Sequence, residues 1–231
     1  MMKMSGDSKQ TNCVFIPGKN WKLSLAELVS FFEAREYRFK ITSLSKSFFA
    51  ITFEHGVQPS IIDDLGGTMK IGRLVSSIPS RIVEEGFIHR KKQSRAEIKA
   101  NLATKCDINE IFKAPYEKFV FGVSLYFESP SFFRFSKEIQ RFLGSYFKDD
   151  LAIHGKKAKF MGFPKDRKLP QLTHVEVLKK DLIEKSAEIL FCIGREKTFI
   201  SNTVAVHNPF EFQKRDVSRP VQRKIFSISP R

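Results

Sequence analysis

The sequence predicts an α+β protein, with a ferredoxin-like unit first, a second mixed α/β unit after it and a linker segment at the C-terminal end. Three observations predict it. Apolar residues alternate between the strand period of about 2 and the helix period of about 3.6 in the order β-α-β-β-α-β over residues 1–78. Charged and polar residues then dominate 79–113, a partly helical connector, and the strand and helix patterns return over 114–206, ahead of a linker at 207–231. With 231 residues, 42% of them hydrophobic, the chain can bury one good core or two modest ones.

Taken in order, the apolar run at 13–16 predicts a strand. Ser24-Leu25-Ala26-Glu27 has the spacing of a capping box, in which a hydroxyl and a carboxylate satisfy each other's backbone N–H groups. It predicts a helix from there to about Glu36, with Leu25, Leu28, Val29 and Phe32 on the apolar face. Residues 38–43 and 48–53 predict two strands around Leu44-Ser45-Lys46-Ser47, and 59–65 a short helix stopped by Gly66-Gly67. Residues 68–76 complete the first unit as its fourth strand, so that two helices lie on one face of a small antiparallel sheet. In the connector, Ser94-Arg95-Ala96-Glu97-Ile98-Lys99-Ala100 keeps a helical period, and the run His89-Arg90-Lys91-Lys92 reads as a solvated face. The second unit predicts a strand at 118–126, a helix at 133–147, a strand at 158–163 within a basic loop, and a helix at 172–185. Strands at 187–193 and 197–206 close it, turning at Gly194-Arg195-Glu196.

Charge narrows the function. Forty Lys and Arg against 25 Asp and Glu leave a formal net charge of +15, a field that attracts polyanions and favours a nucleic-acid partner. The three cysteines, Cys13, Cys106 and Cys192, are odd in number and widely spaced, which gives neither a disulfide framework nor a C-x-x-C metal pair and suits a reducing cytoplasm. No segment approaches the ~20 consecutive apolar residues of a bilayer span, and the polar first ten residues lack a signal-peptide run. A cytoplasmic protein with no membrane partner is expected. The 24 phenylalanines read mostly as core, because they fall in strand-like runs without interleaved cations. Phe160 and Phe163, beside lysines and loops, are the candidates for base stacking.

Three motifs follow one another. Leu65-Gly66-Gly67-Thr68-Met69-Lys70-Ile71-Gly72 has the form L-G-G-T-x-K-I-G, and Phe121-Gly122-Val123-Ser124-Leu125-Tyr126 the form F-G-V-S-x-Y. Asn208-Pro209-Phe210-Glu211-Phe212-Gln213-Lys214-Arg215-Asp216-Val217-Ser218-Arg219-Pro220 has the form N-P-x-x-F-x-x-R-D-x-x-R-P and precedes Ile228-Ser229-Pro230-Arg231. In this order, and from about Phe15 to Arg231, the chain resembles THUMP-containing tRNA methyltransferases of the archaeal and eukaryotic guanosine-N2 type. The resemblance implies that the second unit is a THUMP domain and that the two units grip the acceptor end of tRNA. It also implies an S-adenosylmethionine-dependent methyltransferase domain, in cis or in trans, beyond the linker. Ser218 stands where that family usually has Gly in R-D-x-G-R-P, which restricts the backbone of the turn.

Phosphate binding needs converging cations, and the densest set is Lys156, Lys157, Lys159, Lys165, Arg167 and Lys168, in a segment that Gly155, Gly162 and Pro164 break into turns. Lys179 and Lys180 extend it, while Arg134, Lys137 and Arg141 at helical spacing are a weaker set. In the linker, Arg215, Asp216 and Arg219 suit an RNA contact or an ion pair with a catalytic domain. No catalytic residue and no metal ligand is assigned. The Gly-rich cofactor turn and the Asp/Asn-Pro-Pro-aromatic motif of base methyltransferases do not occur in the sequence, and Phe191-Cys192-Ile193-Gly194 only mimics the start of such a turn. An RNA-binding module without activity or cofactor of its own is the expectation, with a protein-binding adaptor of the same fold as the alternative.

Overall fold

Thr11–Pro17 (β1), Trp21–Ala34 (α1), Phe39–Leu44 (β2), Phe49–Phe53 (β3) and Thr68–Pro79 (β4) follow the predicted order, with a 3-10 turn at Pro59–Asp64 before β4. The structure is a computed structural model that describes residues 10–112, 118–162, 169–184 and 187–210. Ser80–Phe87 (α2), Lys92–Lys105 (α3) and Ile108–Ile111 (α4) occupy the stretch read as a connector. Lys118–Phe127 (β5), a 3-10 turn at Pro130–Phe135, Ser136–Ile153 (α5), Lys157–Phe160 (β6), His174–Lys179 (α6), Ala187–Ile193 (β7) and Lys197–Val206 (β8) complete the chain.

The strands form one sheet in the order β2-β3-β1-β4-β8-β7-β5-β6. This corrects the predicted division into a ferredoxin-like unit followed by a THUMP unit. The joint is β4 against β8, antiparallel from Lys70↔Val206 to Pro79↔Lys197, so that strands from the two ends of the chain share one hydrogen-bonded ladder. Periodicity finds strands but says nothing of which strand pairs with which, and this pairing spans more than a hundred residues of sequence. The sheet is mixed: β5 runs parallel to both β6 and β7, and the remaining pairs are antiparallel.

The capping box also corrects. The cap of α1 is Asn20, whose Oδ1 accepts from the Leu23 amide at 3.4 Å. Ser24 and Glu27 look outward from the helix instead. The Ser24 hydroxyl donates to the Gly67 carbonyl at 2.8 Å, and the Glu27 carboxylate accepts from the Gly66 and Gly67 amides, each at 2.7 Å. A helix side chain thereby takes up the backbone donors of the turn before β4.

Alternation along the strands separates two faces. One carries Cys13, Phe15, Ile51, Phe53 and Ile71 under α1, and Phe121, Val123, Ile189, Phe191 and Ile200 under α2 to α5. The other carries Val14, Ile16, Phe48, Ala50, Tyr126, Leu190, Cys192 and Phe199, and it packs largely on itself. Phe48 and Phe199 meet with ring centroids 5.9 Å apart, and the Ser47 hydroxyl donates to the Phe127 carbonyl at 2.9 Å. Residues flanking strands far apart in the sheet order touch, so the sheet curls strongly around this second face. Register shifts in the β1/β4, β2/β3 and β4/β8 ladders accommodate the bend.

Candidate nucleic-acid interface

At the β6 end of the sheet, the short strand lies parallel to β5 with Phe119↔Ala158, Val120↔Lys159 and Phe121↔Phe160 opposed. Period 2 puts Lys157 and Lys159 on one side of the strand and Ala158 and Phe160 on the other. Both lysines are exposed, whereas Phe160 turns inward, its ring 5.3 Å from that of Phe121 and against Gly144 of α5. A Cβ on Gly144 would lie 2.5 Å from that ring, so the glycine is what lets β6 approach α5. Phe160 is therefore packing, and the expectation that it stacks a base is corrected. Phe163 lies outside the described residues.

Between α5 and β6 opens a groove of about 530 Å³ with Phe119, Val120, Ala152 and Ala158 along its apolar lining and Lys148, Lys156, Lys157 and Lys159 as its cations. Lys156 is half-buried and donates from Nζ to the Phe112 carbonyl at 3.0 Å, which ties it to the end of α4. Lys148, Lys157 and Lys159 are exposed. Of the predicted set, the structure thus brings together Lys156, Lys157 and Lys159. Lys165, Arg167 and Lys168 lie outside the described residues, as do Arg215, Asp216 and Arg219. Lys179 and Lys180 are exposed at the end of α6 and do not line the groove. The sequence reading missed Lys148, which α5 brings alongside because it stands two helical turns before the Gly155 turn. Gly155, with φ of 72°, reverses the chain between α5 and β6.

On the curled face lies a second polar constellation. Lys70 of β4 reaches the Glu188 carboxylate of β7, and both side chains are almost wholly buried. Ser124 of β5 donates to the same Glu188 oxygen, Thr203 of β8 donates to Oε2 at 2.7 Å, and Lys70 also donates to the Leu172 carbonyl at 2.8 Å. Four strands and the 169–173 segment meet at this pair. Every oxygen and the ammonium group find partners, which offsets the cost of taking two charges out of water. Tyr126 lies beside it: burial first, then the negative charge of Glu188, pushes its hydroxyl well above the ordinary value, so it stays protonated.

The one feature that mimicked a cofactor loop does not behave as one. Gly194 turns β7 directly into β8, its amide donating to the Lys197 carbonyl at 3.0 Å, and a Cβ there would lie 2.9 Å from that oxygen and 3.4 Å from Phe48. The tight turn leaves no room for a side chain at Gly194.

No protein-family model matches the chain, and no curated protein matches it in sequence. Solved structures do. TrmN from Thermus thermophilus aligns over 92% of this chain and 51% of its own, at 11% identity and a TM-score of 0.51, so the two share a fold. A possible methylase from Clostridium difficile 630 aligns over 84% of this chain and 41% of its own, at 11% identity and a TM-score of 0.43. An N6-adenine-specific DNA methylase predicted in Listeria monocytogenes aligns over 84% and 40%, at 10% identity and a TM-score of 0.41. This chain therefore spans about half the length of TrmN and about two fifths of the other two.

Proposed function

We propose that the chain binds RNA, with tRNA as the substrate class, and positions it for base methylation by an attached or partner S-adenosylmethionine-dependent methyltransferase domain. The α5/β6 groove supports the reading: exposed Lys148, Lys157 and Lys159 all line it, and cations at such a groove suit the phosphate backbone of a nucleic acid. A net charge of +15 supplies the long-range attraction. The fold shared with part of TrmN, together with the three ordered motifs, supports the link to methylation. The cations address phosphate and the apolar strip carries few hydrogen-bonding groups, so binding is expected to favour shape over sequence.

The test is bulk tRNA binding across a salt series. Affinity is expected to fall with a log-log slope of several units. Lys157→Ala and Lys159→Ala should each reduce that slope by about one, without altering the fold. Binding that ignores salt, or slopes untouched by either substitution, would refute the reading.

A further inference from the structure

A cleft of about 500 Å³ opens on the helix-covered face, beside the β4/β8 joint. It lies where the two apolar clusters of that face meet: Val57 belongs to the cluster under α1, and Val75 packs against the one under α2 to α5. Arg73 and Asn202 line it and stand directly opposite each other across the ladder, which sets their Cβ atoms about 4.5–5.5 Å apart on one face. Two independent features mark the cleft. The Asn202 Oδ1 atom is buried and has no hydrogen-bond partner among the described residues. A buried acceptor left in this way is costly, and a donor brought in by a ligand relieves it. Arg73 is exposed, and its guanidinium makes no hydrogen bond or ion pair among the described residues. The other polar side chains in the lining are the hydroxyl of Thr11 and the carboxamides of Gln10, Asn12 and Gln58; no carboxylate and no aromatic ring is among them.

We propose that this cleft holds a ribose–phosphate unit of an RNA strand, with Arg73 donating to the phosphodiester and Asn202 accepting from the adjacent 2′-hydroxyl. The cleft takes this role only if the chain binds RNA, and it then supplies the means of distinguishing RNA from DNA. A phosphodiester carries one negative charge, which the single guanidinium balances with no carboxylate in the lining to oppose it. The lack of an aromatic ring points to the backbone instead of the base, since unpaired bases are gripped chiefly by stacking. Every polar atom of a DNA sugar–phosphate backbone is an acceptor, so DNA has nothing to offer Asn202 Oδ1. RNA adds one donor per nucleotide, the 2′-hydroxyl, on the ribose carbon next to the one that carries the 3′-phosphate. Acceptor and donor thus arrive side by side, as the Arg73 and Asn202 pair requires. The cleft shares no residue with the α5/β6 groove.

Anisotropy titrations of the full chain with one single-stranded sequence, synthesised in ribo, 2′-deoxy and 2′-O-methyl forms, test the proposal. The ribo form is expected to bind about 3- to 10-fold tighter than the other two, the worth of one hydrogen bond. The 2′-O-methyl form is decisive, because it keeps the oxygen and loses the donor, and the comparison needs no variant. Asn202→Ala should bring the ribo form down to the affinity of the deoxy form, which it leaves unchanged. Arg73→Ala should weaken all three forms alike and reduce the salt slope by about one. The double variant Lys157→Ala, Lys159→Ala should also weaken all three but keep the ribo preference, which separates this cleft from the α5/β6 groove. Equal binding of the three forms by the parent overturns the 2′-hydroxyl site and leaves the groove reading in place. A ribo preference that survives Asn202→Ala overturns it too. Absence of binding by tRNA and by all three forms overturns both.

Discussion

Glu188 is a carboxylate at the second position of a strand whose seven residues are all buried, and its neighbours explain why it is tolerated. Lys70, Ser124 and Thr203 satisfy it completely, so removing one member leaves the others stranded in an apolar interior. Glu188→Gln is expected to cost about 3–5 kcal/mol in chemical denaturation, and combining Lys70→Met with Glu188→Leu should recover about half of that loss. A result in which the double variant is the less stable would contradict this account. The thiols make a second prediction. Burial pushes Cys13 from 9.0 up to about 12, Cys106 up to about 11 and Cys192 well above 9.0. The unfolded chain releases these protons near pH 9 while the folded chain holds them. Stability is therefore full below pH 9 and falls as pH rises toward the folded values, by up to ~1.4 kcal/mol per thiol per pH unit. Urea midpoints at pH 8 and pH 10 measure it. Of these residues, the sequence showed Cys13 and Cys192 as core because apolar runs surround them. Glu188 stood in plain view within Ala187-Glu188-Ile189-Leu190, but its partners lie 118, 64 and 15 positions away, and no local pattern names them.

Among the elements, the joint between α1 and the turn before β4 shows how a motif can be real and misassigned. The Ser-x-x-Glu spacing at Ser24 and Glu27 puts both side chains on one helix face, and that geometry serves the Gly66-Gly67 turn as well as it would serve a helix start. A Cβ on Gly67 would lie 2.9 Å from the Ser24 Cα, a backbone contact that cannot give way. Gly67→Ala is therefore expected to destabilise the protein by about 1–3 kcal/mol. Glu27→Ala, which unmakes two charge-assisted hydrogen bonds, should cost about 2 kcal/mol. Thermal melts of the two variants check both; a neutral Gly67→Ala would mean that α1 shifts freely on the sheet. The strands themselves were legible, β7 and β8 to the residue, because apolar runs bounded by turn residues leave little choice. The short helix expected at 59–65 is the 3-10 turn Pro59–Asp64, whereas the turn at Pro130–Phe135 and the true cap at Asn20 were not legible.

For the whole molecule, the β4/β8 ladder makes cooperativity the natural expectation. Strands from both ends of the chain share it, so neither half can lose its strands without exposing the other's. Urea unfolding followed by far-UV dichroism and by Trp21 fluorescence should give coincident single transitions. Two separated transitions would show that the halves unfold independently. The curl that brings Phe48 to Phe199 was invisible to periodicity, which fixes the face of each residue and not the bend of the sheet. It leaves the described sheet with only two free margins, β2 and β6. An open margin is a template on which a second chain can add a strand, and lysines on it discourage that addition. β6 has only four residues and two of them are Lys157 and Lys159, while β2 places exposed Lys40 on the other margin. Lysines at both margins therefore disfavour edge-to-edge pairing between copies of the protein, a reason to keep them that is independent of any nucleic acid.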